Sequence, residues 1–207
     1  MRRRSSRTIA AALAALAAAL PARAEPFDYY LLALSWSPSW CAAEGDRRAE
    51  QCRPERDLGF VVHGLWPQHA AGWPAFCETE ARDPTRAETA AMADVMGSGG
   101  LAWAQWKKHG RCTDLAPEAY FGALRRAFGA MRLPEPAERT DARAVAAAFL
   151  RANPGMPADG LVVTCREGLL REVRICLTKD LQARSCGADV LADACRPDRP
   201  LAAPEAP

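Results

Sequence analysis

Dense apolar runs at four places along the chain predict buried β-strands. FDYYLLALSW spans residues 27–36, and LGFVVHGLWP spans residues 58–67. Each run is rich in aliphatic and aromatic side chains and is bounded by polar, Gly or Pro residues, which is typical of a buried strand. Two later runs, GLVVTC at 160–165 and LLREVRICLT at 169–178, predict a second pair of strands joined by a tight turn.

Between these runs, apolar residues recur at the three- and four-residue spacing of amphipathic helices. This pattern covers residues 85–97, 116–131 and 140–155, and a further helix is predicted within residues 98–110. Residues 68–85 are rich in Gly, Pro and Ala and predict a loop. The chain contains no repeat and no linker. We therefore expect a single α+β domain with a central antiparallel sheet and flanking helices.

The first two dozen residues follow a different pattern. They begin with arginines, continue as an apolar run from Ile9 to Leu20, and end in an A-x-A site at Ala24, which is the layout of a secretory signal peptide. The alternative is a short amphipathic or membrane helix, but the run is too short to span a bilayer and Pro21 follows it. We expect residues 1–24 to be removed, leaving a domain of residues 25–207 with no membrane segment.

The segment from about residue 197 is rich in Pro and Ala, and we expect this tail to be disordered.

The full chain has 27 Lys and Arg against 25 Asp and Glu, and loss of the five signal arginines leaves 22 against 25, a net charge of −3. A chain so close to neutrality is not a bulk polyanion binder, so a nucleic-acid site must concentrate positive charge in a cleft.

All eight cysteines follow the expected cleavage site. An even number of cysteines in an exported chain predicts four disulfides and a periplasmic or extracellular location. Spacing alone leaves the pairing of the cysteines open, although Cys41 and Cys52 flank a polar segment and are candidates for a local disulfide. Zinc is the alternative, but the sequence has no C-x-x-C pair and its three histidines lack zinc-finger spacing, so we expect no metal site.

Two of the three histidines lie at the ends of predicted elements. His63 ends an apolar strand, and His109 follows Lys108, whereas His69 lies in a polar loop and is interpreted as a solvated residue. Each histidine alone is more often structural than catalytic. Together, His63, His109 and Lys108 supply an acid, a base and a cation for phosphoryl chemistry. Cleavage of RNA by its own 2′-hydroxyl needs these three roles and no metal.

Two tryptophans lie close to the first of these histidines in sequence. Trp66 and Trp73 are candidates for stacking on an unpaired base. For Trp66, which stands beside a strand end, packing in the core is an equally good interpretation.

Two segments resemble the active-site segments of the ribonuclease T2 family. FVVHGLWPQ at 60–68 is similar to the first, and QWKKHGRC at 105–112 is similar to the second, which usually reads H-E-W-x-K-H-G-T-C. YYLLALSWSPSWC at 29–41 and VRICLTKD at 173–180 also match, in the expected order. The resemblance implies a secreted, metal-independent endoribonuclease that cleaves single-stranded RNA through a 2′,3′-cyclic phosphate to 3′-phosphate ends. It would need no cofactor, and we expect it to be a monomer.

The resemblance also implies roles for individual residues. His109 matches the general base, His63 the general acid, and Lys108 the cation that stabilises the pentacoordinate phosphate. Trp66 and Gln68 match positions of a base-binding pocket. The implied disulfides are Cys41–Cys52, Cys77–Cys112, Cys165–Cys195 and Cys176–Cys186, of which the second would hold the two active-site segments together.

The second segment departs from the family pattern at two positions. Ala104 stands where a phosphate-contacting histidine is usual, and Gln105 replaces a carboxylate, so this candidate catalytic position can hydrogen-bond but cannot accept a proton. Lys107 and Arg111 add positive charge that would partly offset the loss. We predict an active but attenuated ribonuclease. The alternatives are a catalytically inactive RNA- or nucleotide-binding homologue and a scaffold without a ligand, but neither needs a paired acid and base.

Overall fold

The structure, a computed structural model, describes residues 27–45 and 48–205, so the predicted signal peptide lies outside the described residues. Within this part the strands are β1 Tyr29–Trp36, β2 Phe60–Gln68, β3 Arg139–Asp141, β4 Leu161–Arg166, β5 Leu169–Leu177 and β6 Pro200–Ala202. They form one mixed sheet in the order β2-β1-β5-β6-β3, with β4 also paired to β5. All pairings are antiparallel except a single-residue parallel pair between β5 and β6.

Helices flank this sheet, as predicted for an α+β domain. The predicted helix at 85–97 is broken into two short helices near Ala91, whose carbonyl accepts a hydrogen bond from Arg125. None of the helices in the described residues is long and apolar enough to cross a membrane. The helices are α1 Ser37–Ala43, α2 Arg86–Ala90, α3 Ala93–Met96, α4 Gly99–Lys108, α5 Pro117–Gly129, α6 Ala142–Ala152 and α7 Ala188–Ala192.

The prediction of a disordered tail from about residue 197 is wrong for the described part of that tail. Strand β6 pairs with β3, and Leu201 and Ala203 are buried. Trp36 Nε1 also donates a hydrogen bond to the Pro204 carbonyl at 2.8 Å. A three-residue strand with a single large apolar side chain leaves no periodic signal in a Pro- and Ala-rich sequence, so composition alone could not reveal it.

The two faces of the sheet have different surroundings. Because side chains alternate along a strand, Leu34 of β1 and Val173 of β5 point to the face that shares a core with Phe149 of α6. Glu172 and Arg174 of β5 point to the opposite face, whose apolar cluster is much smaller. The second face therefore has room for polar side chains at its centre.

A β-bulge places His63 on this second face. In the register of β1 and β2, Ala33 pairs with Gly64 and Leu34 pairs with Val62, so His63 is an extra residue without a partner. A bulge of this kind redirects the side chains of its strand, and bulges are common beside active sites. Here it sends His63 to the same face as Glu172.

The four disulfides are the pairs that the resemblance implies. They are Cys41–Cys52, Cys77–Cys112, Cys165–Cys195 and Cys176–Cys186. The Cys77–Cys112 bond ties the loop after β2 to the segment after α4, and beside it the Phe76 N–H donates to the Lys108 carbonyl at 2.8 Å. This link fixes Lys108 relative to the loop that follows His63.

Candidate active site

His63 is half-buried and pairs with a buried carboxylate. Its Nδ1 lies 2.6 Å from Oε1 of Glu172, which is 1% exposed. The other oxygen of Glu172 accepts a hydrogen bond from Arg174 Nε at 2.8 Å, and Arg174 Nη1 donates to Asp193 at 2.6 Å. Burial raises the pKa of Glu172, but the hydrogen bonds and positive charges of His63 and Arg174 outweigh it and lower the pKa to about 2.

Trp66 lies between the two candidate catalytic histidines. Its ring meets His63 edge to face at 5.3 Å between centroids, and it stacks on His109 at 5.2 Å with an interplanar angle of 25°. The guanidinium carbon of Arg174 lies 5.5 Å from the same ring. The indole thus brings together His63 from β2 and His109 from the end of α4. With these neighbours on its ring, Trp66 organises the site, and its contact with a base stays a prediction.

His109 caps the C-terminus of α4, and its N–H donates to the Gln105 carbonyl at 2.9 Å. The residue is 3% exposed, and its Nδ1 is buried without a hydrogen-bond partner among the described residues. Burial, followed by the positive charges of Lys108 and His63, lowers the pKa of His109 to about 3. The imidazole is therefore neutral near pH 7, the protonation state that a general base requires.

The cations around His109 have different environments. Lys108 is half-buried, and its ammonium has no hydrogen-bond or ion-pair partner within the described residues. Arg111, in contrast, forms a bidentate pair with Asp83 at 2.7 and 2.8 Å, and the Lys107 ammonium lies over the Trp103 ring. Arg111 is thus bound to Asp83 and Lys107 lies against Trp103, and compensation for the missing histidine by these two cations stays a prediction.

The two departures from the family pattern lie in different environments. Ala104 is exposed on α4, so the space beside it is open. Gln105 is 6% exposed, and its Oε1 accepts a hydrogen bond from Trp66 Nε1 at 2.7 Å. Gln105 therefore supports Trp66 in this structure, and a direct catalytic role for Gln105 stays a prediction.

The Trp66–Gln105 hydrogen bond passes directly over Gly64. A Cβ on Gly64 would overlap both Trp66 Nε1 and Gln105 Oε1. We expect Gly64→Ala to lower the free energy of unfolding by about 1–3 kcal/mol, because neither neighbour is the end of a loose side chain, and to lower activity as well. Urea denaturation checks this, with Gly129→Ala as the control, since a Cβ there meets nothing within 4 Å. Equal stability of Gly64→Ala and the wild type would contradict the geometry.

The loop after β2 presents two exposed aromatic side chains. Trp73 is 57% exposed and Phe76 is 67% exposed. Phe76 was not among the residues predicted from the sequence, although an aromatic residue beside Cys77 in a polar loop is a usable signal. Asp28 and Asp189 accept hydrogen bonds from the loop backbone at 2.6 and 2.7 Å. Acidic side chains on both sides therefore anchor the loop.

Gln68 does not line an open pocket. It is 2% exposed, and its Nε2 donates to the Pro67 carbonyl at 2.9 Å. The prediction of a pocket-lining side chain is wrong for this structure, because Gln68 is the last residue of β2 and its side chain points into the fold. His69 follows it and is half-buried; no side-chain contact joins it to the other two histidines.

A cleft of 260 Å³ opens beside His63 and Glu172. Its apolar lining includes Trp40, Val61 and Leu101, and charged residues from several elements lie at its edges. Glu172 and Arg174, which line or adjoin this site, were not predicted from the sequence. The available signal was the group of three charged residues, Arg171, Glu172 and Arg174, within the otherwise apolar strand β5.

The buried His109 makes the fold sensitive to mild acid. The pKa of its imidazole is about 3 in the folded chain against 6.5 for an ordinary histidine, so between these values only the unfolded chain binds the proton. The free energy of unfolding is expected to fall below pH 6.5 by on the order of 1 kcal/mol per pH unit. Urea denaturation checks this when the free energy of unfolding of the wild type and of His109→Gln is compared between about pH 7 and 5. This range lies above the pH at which carboxylates protonate. Equal slopes in both proteins would contradict it.

Comparisons with known proteins show which family the chain belongs to. The ribonuclease T2 family profile matches residues 27–141, which are more than half of the chain. A ribonuclease from Aeromonas hydrophila is 36% identical over 168 residues, 74% of this chain and 73% of the relative. An RNase-related protein from Calystegia sepium has a TM-score of 0.70 at 20% identity, covering 88% of this chain and 100% of that chain. RNase NT, solved with 5′-AMP, has a TM-score of 0.56 at 23% identity, covering 79% and 92%. This chain therefore belongs to the ribonuclease T2 family of endoribonucleases.

Proposed function

We propose that this chain cleaves single-stranded RNA by transesterification, with His109 as the base, His63 as the acid and Lys108 as the cation at phosphorus. The observation that carries the proposal is the arrangement of the two imidazoles around Trp66, at 5.3 and 5.2 Å from its ring. One imidazole is neutral and buried, whereas the other is paired with a carboxylate. Two histidines in such different environments are suited to opposite proton-transfer roles.

The first step balances with these three side chains. His109 takes the proton of the 2′-hydroxyl, and the 2′-oxygen forms a bond to phosphorus while the bond to the 5′-oxygen breaks. Protonated His63 gives its proton to that leaving oxygen, so the products are a 2′,3′-cyclic phosphate and a 5′-hydroxyl. Lys108 stabilises the charge that develops on the phosphoryl oxygens.

Hydrolysis of the cyclic phosphate reverses the two roles. His63 now takes a proton from water, and His109 returns one to the departing 2′-oxygen, which leaves a 3′-phosphate. Each histidine thus recovers its starting protonation state. No step needs a metal ion or a cofactor.

The surrounding surface supports RNA as the substrate. Trp73 and Phe76 expose aromatic faces on the loop tied to Lys108, and such faces stack on unpaired bases. RNase NT binds 5′-AMP, which is consistent with a nucleotide site on this fold. Four disulfides favour an oxidising compartment, so we place the monomeric mature chain in the periplasm or outside the cell.

Two matched oligonucleotides test the proposed reaction. A single-stranded RNA and the same sequence with 2′-O-methyl groups are incubated with the purified protein, and binding and cleavage are measured separately. We expect both oligonucleotides to bind and only the RNA to be cleaved, because the methylated one has no nucleophile. Cleavage of both would overturn the mechanism. Binding of both without cleavage would favour a nucleotide-binding protein, the alternative that Ala104 and Gln105 raise.

Ala104→His restores the family residue at the exposed position on α4. We expect kcat/KM on RNA to rise by about 10-fold or more, because one transition-state contact is typically worth about 100- to 1,000-fold and an engineered one recovers part of it. The exposed site accommodates the larger side chain without overlap in the core. Steady-state kinetics against the wild type measures the change. An unchanged rate would show that this position does not limit catalysis here.

A further inference from the structure

A buried carboxylate faces the histidine that serves as the acid in the proposed reaction. Glu172 of β5 and His63 of β2 lie on the same face of the sheet, separated by β1. Ser35 of β1 pairs with Glu172, and its small side chain lets the two larger residues meet above it. The resulting contact joins Nδ1 of His63 to Oε1 of Glu172 at 2.6 Å.

We propose that Glu172 is a positioning residue that fixes the tautomer and the ring orientation of His63. The proposal rests on the proposed function, in which His63 carries the proton that reaches the leaving oxygen. Glu172 acts through the imidazole and does not touch the reacting atoms.

The tautomer follows from the bonding of both carboxylate oxygens. Arg174 donates to Oε2 at 2.8 Å, which stabilises the ionised form of Glu172, and an ionised carboxylate only accepts hydrogen bonds. The hydrogen between Nδ1 and Oε1 therefore belongs to His63. Nε2 is then the nitrogen that exchanges a proton with the substrate, and it lies on the far side of the ring from Glu172.

The carboxylate is itself held in place from the other side. Arg174 forms a second bond to Asp193 at 2.6 Å and lies beside the Trp66 ring, so the guanidinium has two anchors besides Glu172. Glu172 is 1% exposed, so this partner replaces water that the buried charge has lost. The chain of contacts from Asp193 to His63 is therefore continuous.

Other charged groups around His63 do not provide a second carboxylate contact to its ring. Among the described residues, the ion pair of His63 is with Glu172. The charged or titratable groups around His63 are Glu172 and Arg174 on β5, Lys108 and His109 at the C-terminal end of α4, and Glu44, Glu50, Arg166 and Arg171 around the adjoining cleft.

Kinetics of Glu172→Gln over a range of pH test the proposal. The amide keeps the size and an acceptor oxygen but removes the negative charge that stabilises protonated His63. We expect kcat to fall by about 10- to 100-fold, since part of an acid's contribution is lost. We also expect the alkaline limb of kcat/KM to move to lower pH. Asp94→Asn is the control, because it changes a carboxylate paired with Arg125 on the surface. If the alkaline limb of the pH profile of Glu172→Gln does not move and its rate equals that of the wild type, the proposal is overturned. If the rate falls but the limb does not move, Glu172 has only a structural role, and the proposal is overturned as well.

A spectroscopic measurement on the wild type covers the case in which the variant does not fold. The chain has three histidines, so a long-range ¹H–¹⁵N spectrum of the imidazoles contains few signals, and His63→Ala assigns the relevant one. We expect neutral His63 to carry its hydrogen on Nδ1, and Glu172→Ala to lose this preference. Hydrogen on Nε2 in the wild type would overturn the proposal. If the wild type cleaves no RNA but His63 carries Nδ1–H, the proposed function fails and the pairing stands.

Discussion

His109→Ala is expected to lower kcat for RNA cleavage by about 1,000-fold, which is within the range that a general base contributes. The reason is that His109 is the neutral, buried imidazole beside Lys108, and Gln105, where the family has a carboxylate, cannot take over its proton. Single-turnover cleavage of a labelled oligonucleotide measures the loss.

The matched control for this variant is His69→Ala, which removes the third histidine, on the loop after β2. It should retain near wild-type turnover. His109→Gln tests whether loss of packing against Trp66 accounts for the effect, since it fills more of the space than alanine. Wild-type turnover in His109→Ala would show that the base is assigned to the wrong residue.

His63→Ala is expected to have an effect that depends on the leaving group. On RNA, where the 5′-oxygen must be protonated, we expect kcat to fall by about 100- to 1,000-fold. On a nucleoside 3′-(4-nitrophenyl phosphate) the loss should be far smaller, because nitrophenolate leaves without a proton. His109→Ala should lose activity on both substrates, because both reactions need the 2′-hydroxyl deprotonated.

The comparison is made by measuring both variants on both substrates. A large difference between the two substrates for His63→Ala, without such a difference for His109→Ala, assigns the acid and the base separately. Equal losses for His63→Ala on RNA and on the nitrophenyl ester would contradict the acid assignment.

The residues of the site that short sequence patterns identify were predictable. His63 and His109 lie in segments that match family motifs, and the structure brings both to Trp66, although His63 lies within β2 and not at its end as predicted. The strands at 27–36, 58–67, 160–165 and 169–178 are also present, with small shifts at their ends. In each case the apolar pattern and the neighbouring Gly or Pro residues act within a few positions.

The parts that depend on strand register were not predictable. Glu172 is 109 positions from His63, and they meet because β1 pairs with both β2 and β5 and because a bulge redirects His63. A shift of the strand pairing by one residue would place the Glu172 side chain in the core on the other face of the sheet. The local sequence of β5 does not indicate which residue of β2 lies near Glu172 on the other side of β1.

The departures from the family pattern have a physical interpretation only in three dimensions. Gln105 resembles a lost carboxylate in the sequence, yet its amide oxygen holds Trp66 Nε1, which keeps the indole between the two histidines. Arg111 adds a charge in the sequence, yet Asp83 neutralises it. Gln105 therefore provides a contact within the site, and the effect of Ala104 on the rate stays a prediction.

The end groups of the cleaved RNA provide the most direct measurement of acid–base transesterification without a metal. A defined single-stranded oligonucleotide is cleaved in the presence of excess EDTA, and the fragments are identified by mass spectrometry at early and late times. We expect 5′-hydroxyl ends throughout, with 2′,3′-cyclic phosphates first and 3′-phosphates later. Fragments with 5′-phosphate and 3′-hydroxyl ends, or cleavage that stops when EDTA is added, would contradict it.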